Sequence, residues 1–231
     1  MFVYNDTIDP GDVIAVSDIH GCYDQYARFL DWVRDSGACV IICGDLVDRG
    51  PDDLGVLERT YDLMQDPDSW GLGSFTAITG NHEILLLNAI DGYGMSDWVR
   101  NGGDYKRLDQ LEEHAHWIRK LPYYVTVGDT LYSHCGVIPG QDPQLSMDSF
   151  YLREEFVWNR GSFLRVGPQF EKWSRALRKV VFGHTPQKDA QPWEVPNGIC
   201  IDSGCYFSGI LTAYNSTQDS FHEFTCQPVE V

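Results

Sequence analysis

The chain has 231 residues with 34 acidic and 17 basic side chains, a formal charge of −17, so its long-range field repels nucleic acid and anionic membranes. Hydrophobic residues at 43% and charged residues at 22% give the balance of a folded globular chain and exclude extended disorder. At this length a single domain over residues 1–231 is expected.

In chain order, "DVIAVSD" (12–18) is a short apolar run ending in polar residues, and "GCYDQYARFLDWVRDSG" (21–37) follows with Tyr26, Phe29, Leu30 and Val33 at helical spacing. "ACVIICGD" (38–45) reads as a second buried strand, and "PDDLGVLERTYDLMQD" (51–66) as a helix opened by proline and acids. "SFTAITG" (74–80) and the helix "NHEILLLNAI" (81–90) form a third strand–turn–helix unit. Three such units in succession predict a parallel sheet covered by helices.

The stretch 103–122 predicts one helix, with Asp104 as N-cap and Pro122 as its end. Beyond it, "YYVTV", "TLYSHCG", "KVVFGHT", "GICIDSG", "GILTAYN" and "SFHEFTC" read as short strands between Gly, Pro and Asn turns. The parallel half and the later strand-rich half are expected to pack as two sheets with helices outside, an α/β (α+β) architecture.

Five of these strands carry metal-ligating residue types at one end: Asp18 and His20, Asp45, Asn81 and His82, His134, and His184. Carboxyl ends of strands line the ligand crevice of an open α/β sheet, so these residues are expected to converge. Asp18 and His20, two apart, would leave an extended strand end on the same side. Carboxylates, an amide and imidazoles together suit first-row divalent ions. There are enough ligands for two ions with Asp45 bridging, a known clamp for phosphoryl displacement.

The motifs "DIHG", "GDLVDRGP", "GNHE", "SHCG" and "GHTP", in that order, resemble the signature of metallophosphoesterases of the phosphoprotein phosphatase type. With "WNR" (158–160) and "NGGDY" (101–105), the chain is most similar to the bacterial and bacteriophage lambda-type serine/threonine protein phosphatases, over residues 12–215. The resemblance implies a four-layer calcineurin-like fold, a central β-sandwich flanked by helices. It implies that Asp18, His20 and Asp45 hold a first ion and that Asp45, Asn81, His134 and His184 hold a second. His82 would be the general acid and Asp48 its orienting partner. Arg49 and Arg160 would grip the phosphate, with Asn81 beside it, although Gly161 stands where the family often has an acid. The implied reaction is hydrolysis of phosphoserine or phosphothreonine in a protein or peptide by direct attack of a hydroxide bridging two ions. Manganese suits this donor set, as do iron and zinc.

A second reading is symmetrical hydrolysis of diadenosine tetraphosphate, since "HGCYD" and "DSGCYFSGILT" (202–212) are similar to segments of those enzymes, which would make a nucleotide the partner. A third is a binding module that captures phosphorylated ligands without cleaving them, which would lack a general acid or bridging carboxylate. Seven scattered cysteines with no CxxC pair are read as reduced thiols of a cytoplasmic protein, and Cys22 and Cys135 are not counted as ligands. No leader segment and no apolar run near the roughly 18 residues of a membrane span is expected. His114, His116 and His222 are read as structural, "HEILL" lacks the second histidine of a zincin, and Lys172, Arg175, Arg178 and Lys179 as a solvated helix face.

Overall fold

The computed structural model describes residues 2–147 and 150–226. Three parallel strands, β1 (Val13–Val16), β2 (Cys39–Ile42) and β3 (Ser74–Ala77), alternate with helices α1 (Tyr23–Val33), α2 (Asp53–Gln65) and α3 (Asn81–Ile90). Helices α4 (Met95–Arg100), α5 (Leu108–Glu112) and α6 (Ala115–Ile118) lead to β4 (Tyr124–Val127) and β5 (Thr130–Ser133). After α7 (Pro143–Met147), α8 (Phe150–Trp158) and α9 (Gly161–Val166) come β6 (Lys179–Phe182), β7 (Trp193–Val195), β8 (Gly198–Cys200) and α10 (Cys205–Ser208). A hairpin of β9 (Ile210–Asn215) and β10 (Ser220–Thr225) follows.

Two five-stranded sheets result, ordered β10-β9-β1-β2-β3 and β4-β5-β6-β8-β7. Side chains alternate between layers, as the two-residue period of a strand requires. Val13, Ala15 and Ile41 meet Tyr132, Val181 and Ile199 between the sheets. Ile14, Val16, Val40 and Ile42 face α1 and α2 through Phe29, Leu30, Val56 and Leu57. Leu131, Val180 and Phe182 face Phe156 and Phe163 on the far side. Burial on both faces explains why these strands are apolar without a break, and the layering is the expected helix–sheet–sheet–helix sandwich.

Three expectations need correction. The sheets do not divide the chain into an early and a late half, because β9 pairs antiparallel with β1 and returns the end of the chain to the first sheet. The stretch 103–122 is not one helix. Asp104 does cap its start, accepting from Lys106 N at 3.0 Å, but the backbone tightens into short turns with i to i+3 bonds, His114 N to Leu111 O and Trp117 N to His114 O. The basic residues share no helix face: Lys172 ends a 3₁₀ turn and Lys179 opens β6, where it pairs with Asp219 at 2.9 Å. None of the described helices is long and apolar enough to cross a membrane.

Candidate dinuclear metal centre

The loops after β1, β2, β3, β5 and β6 bring Asp18, His20, Asp45, Asn81, His82, His134 and His184 together, all buried. Asp18 and His20 do not continue an extended strand. Both have left-handed backbones, with φ of 52° and 49°, so the loop turns sharply instead of alternating. Among the described residues, six of the eleven non-glycine residues with positive φ, namely Asp18, His20, Asp45, Asp48, Arg49 and His184, lie in this cluster. Strain held this locally marks the segments whose side chains must be aimed. The backbones approach closely at Gly80, where a Cβ would lie 2.2 Å from Asp45 Oδ1, so only glycine fits there.

Asp45 Oδ2 is the centre of the cluster, 3.5 Å from His20 Nε2 and 3.4 Å from His134 Nε2. His20 Nδ1 donates to Val47 O at 2.8 Å and His134 Nδ1 to Cys43 O at 2.9 Å, which leaves each Nε2 with a lone pair facing inward. His134 Nε2 also lies 2.8 Å from Asn81 Oδ1 and 3.0 Å from His184 Nδ1. Asp18 Oδ1 is 3.8 Å from His20 Nε2, while its other oxygen accepts from Ser17 Oγ and, at 2.8 Å, from His184 N. Acceptors therefore converge with too few protons between them. His184 Nε2, buried with no hydrogen-bond partner, shows the same shortage. This donor set fits cations. Within it His20, Asp45 and His82 form one group of potential ligands and Asp45, His134 and His184 another.

The electrostatics agree. Burial, then His82, holds the His20 imidazole well below its usual range, and burial with His134 does the same to His184, so both are neutral as metal ligation needs. Burial and the neighbouring Asp18 push Asp45 well above the carboxylate range. The same two causes raise Asp202, a buried residue that the sequence reading missed.

His82 is fixed from the other side. Its Nδ1 is 2.7 Å from Asp48 Oδ2, and Trp98 Nε1 donates to Asp48 Oδ1 at 2.7 Å. Asp53, in the first turn of α2, accepts from Asp48 N at 2.9 Å. Burial raises Asp48 and Asp53 to about 7 each, and burial followed by Arg49 lowers His82 to about 2. Within this pair the imidazole is neutral, its Nδ1–H held by Asp48 and its Nε2 turned to the cluster. Glu83 caps the assembly, its carboxylate accepting from the backbone N–H groups of Asp45, Leu46 and Gly80 at 2.8 to 2.9 Å. The "GNHE" motif contained Glu83, and a buried acid at the third position of a helix is a capping signal. Asp202 follows the apolar run of β8 as the other candidates follow theirs, whereas Trp98 had no such local signal.

Arg49 spans the cluster, one terminal nitrogen 2.8 Å from His20 Nε2 and the other 2.8 Å from His82 Nε2. Its guanidinium lies 4.8 Å from the Tyr206 ring centroid. Arg160 reaches the same region and donates to His184 O at 2.8 Å. The exposed rings of Tyr206 and Trp158 flank the cluster, 5.5 Å from His20 and 6.0 Å from His184. The histidines read as structural lie elsewhere: His114 accepts from Trp117 Nε1 and His222 stacks on Trp32, while His116 meets Tyr61. Cys135 donates to Phe156 O, away from the donor set.

Residues 11–209 match the model of the calcineurin-like phosphoesterases, and the chain belongs to that family of metallophosphoesterases. Among individual proteins it is similar to serine/threonine-protein phosphatase 1 of Salmonella typhimurium, 29% identical over 215 residues that cover 87% of this chain and 89% of that one. It is also similar to a symmetrical bis(5'-nucleosyl)-tetraphosphatase of Legionella pneumophila, 30% identical over 141 residues. That match takes in 58% of this chain and spans about half, 48%, of the relative's length. A crystal structure of a cold-active protein tyrosine phosphatase superposes with a TM-score of 0.65 at 19% identity, covering 96% of this chain and 81% of the other, which shows the shared fold.

Proposed function

We propose that the chain is a metal-dependent phosphomonoesterase acting on phosphoserine and phosphothreonine in proteins or peptides, with manganese as the working ion. The observation that carries the reading is Asp45 Oδ2, nearly equidistant from His20 Nε2 and His134 Nε2 at 3.5 and 3.4 Å, the position of a carboxylate shared by two cation sites. Asp18, His20 and Asp45 would hold one ion, and Asp45, Asn81, His134 and His184 the other. Two divalent ions, when bound, supply charge neutralisation at phosphoryl oxygens and water acidified toward neutral pH.

The remaining work falls to the side chains around them. Arg49 and Arg160 offer planar forks suited to phosphate oxygens, and Arg49 exchanges its imidazole contacts for the substrate. Asp48 keeps the His82 proton on Nδ1 and aims Nε2 at the reacting group. Burial and the cationic side chains hold down the proton affinity of His82. A phosphate dianion arriving between Arg49 and Arg160 offsets that positive charge, so His82 can take up a proton and deliver it to the departing alkoxide. His82 and Asp45, whose loss would mark a binding-only chain, both stand in the cluster.

The near end-to-end match to the Salmonella phosphatase supports a protein substrate. A second reading, hydrolysis of a dinucleoside tetraphosphate, is favoured by the exposed Tyr206 ring beside His20, a surface on which a purine could stack, and by the Legionella relative. The test is turnover of an aryl phosphate by manganese-loaded chain, followed by competition between a phosphoserine peptide and diadenosine tetraphosphate at equal concentration. Absence of turnover from pH 6 to 9 refutes the enzyme reading, and a higher kcat/KM for the dinucleotide refutes the protein substrate.

A further inference from the structure

Three cysteines far apart in sequence, Cys22, Cys205 and Cys226, line one hollow of about 470 Å³ beside the metal cluster, together with Pro51, Asp52 and Tyr206. Cys22 and Cys205 are buried, at 5% and 2% exposure, and both belong to the same buried cluster under α1. Cys226 is exposed. The proposed metal centre uses none of the three.

The two buried thiols belong to the segments that carry the site. Cys22 lies two residues after His20, stands at the N-cap position of α1, and donates back to His20 O at 3.6 Å. Cys205 opens α10 between Asp202, whose carboxylate accepts from Gly204 N at 2.8 Å, and Tyr206, whose ring meets both His20 and Arg49. Any change in the spacing of these sulfurs is therefore transmitted to a metal-ligand loop on one side and to Tyr206 on the other.

We propose that Cys22 and Cys205 form a modification site for hydrogen peroxide, closing reversibly to a disulfide that lowers activity. One thiol attacks peroxide: an S–O bond forms, the O–O bond breaks, and one water leaves. The partner thiol then attacks the resulting sulfenic sulfur: an S–S bond forms, the S–O bond breaks, and the second water leaves. The two sulfurs together lose two electrons and peroxide is reduced to two waters. The hollow admits a molecule of peroxide's size, and both cysteines line it. The new covalent bond draws α1 and α10 together. A shift on the order of 1 Å at a catalytic loop costs roughly 10²-fold in rate.

The experiment treats the full chain, stripped of metal, with a small excess of hydrogen peroxide, then desalts it and reloads it with manganese. Expected are an intact mass lower by two hydrogens, a linked peptide joining Cys22 to Cys205, and a ten- to hundredfold loss of turnover that dithiothreitol restores. C205S yields no linked peptide and keeps its activity after peroxide, while C226S behaves as the parent chain. The proposal is overturned if both thiols stay free, if the link contains Cys226, or if C205S loses as much activity as the parent. Peptide mapping of the parent chain needs neither a folded variant nor turnover, so it reads the disulfide even if the phosphatase reading fails.

Discussion

The indole N–H of Trp98 donates to Asp48 Oδ1 at 2.7 Å, across 50 residues of sequence. It occupies one oxygen of the carboxylate whose other oxygen holds His82, so the His82 imidazole is braced by a fully buried side chain from α4. Trp98→Phe keeps the ring and removes the donor. We expect about 1 to 3 kcal/mol of lost stability from the bereft buried carboxylate, about tenfold lower kcat, and unchanged metal content. Denaturant melts and metal analysis on the same preparation check this; an unaltered kcat would show that Asp48 needs no brace.

His82→Asn should leave both metal sites filled and slow turnover of a phosphoserine peptide by roughly 10² to 10⁴. The loss should be smaller for an aryl phosphate, because a phenol with pKa near 10 leaves with less protonation. The ratio of the two losses is the informative number. Equal losses would show that His82 does not protonate the leaving group.

Asp45→Asn should empty both sites, whereas Asp18→Asn should empty chiefly one, since Asp45 Oδ2 faces His20 and His134 while Asp18 faces His20. Metal stoichiometry after dialysis against limiting manganese checks the difference. A chain that still binds two equivalents without the Asp45 carboxylate would exclude it as the bridge.

Asp53 supplies a pH prediction. Burial, then Asp48, raises it to about 7 from an ordinary 3.8. Its folded pKa lies above its unfolded one, so between pH 4 and 7 the folded state binds more protons and stability falls as pH rises. Asp53→Asn retains an oxygen acceptor for Asp48 N and has no proton to lose. Relative to this variant, the parent chain should lose on the order of 2 kcal/mol across that window. Parallel denaturation curves in chelator at pH 4.5 and 7.5 test the sign.

The cluster was legible because each candidate ligand follows an apolar strand closely, and strand ends fix where a loop points. Asp18, His20, Asp45, Asn81, His134 and His184 all meet in the cluster for that reason. The backbone of the Asp18–His20 turn was not legible, since left-handed φ at a histidine has no compositional signature. Trp98 was hidden for another reason: its role arises where α4 packs beside the Asp48 loop, and nothing in "SDWVR" names that partner. The broken helix at 103–122 shows a limit of periodicity. Leu108, Leu111, Ala115 and Ile118 keep a helical rhythm whether the turns are α or 3₁₀. Strand pairing was hidden too, because "GILTAYN" reads the same beside β1 as it would beside β8.

That pairing bears on how the chain assembles during synthesis. Every proposed ligand, from Asp18 to His184, has been made before β9 begins at Ile210, yet β1 gains its second neighbour only when β9 arrives. Until then the strand that presents Asp18 and His20 has one open edge, and closing it requires contact between residues about 200 apart. A ribosome-bound chain halted before residue 210 would thus carry a complete list of metal donors on an unfinished sheet. Exposed edges of this kind invite pairing with other chains, which makes the closing hairpin a guard against aggregation as much as a piece of the scaffold.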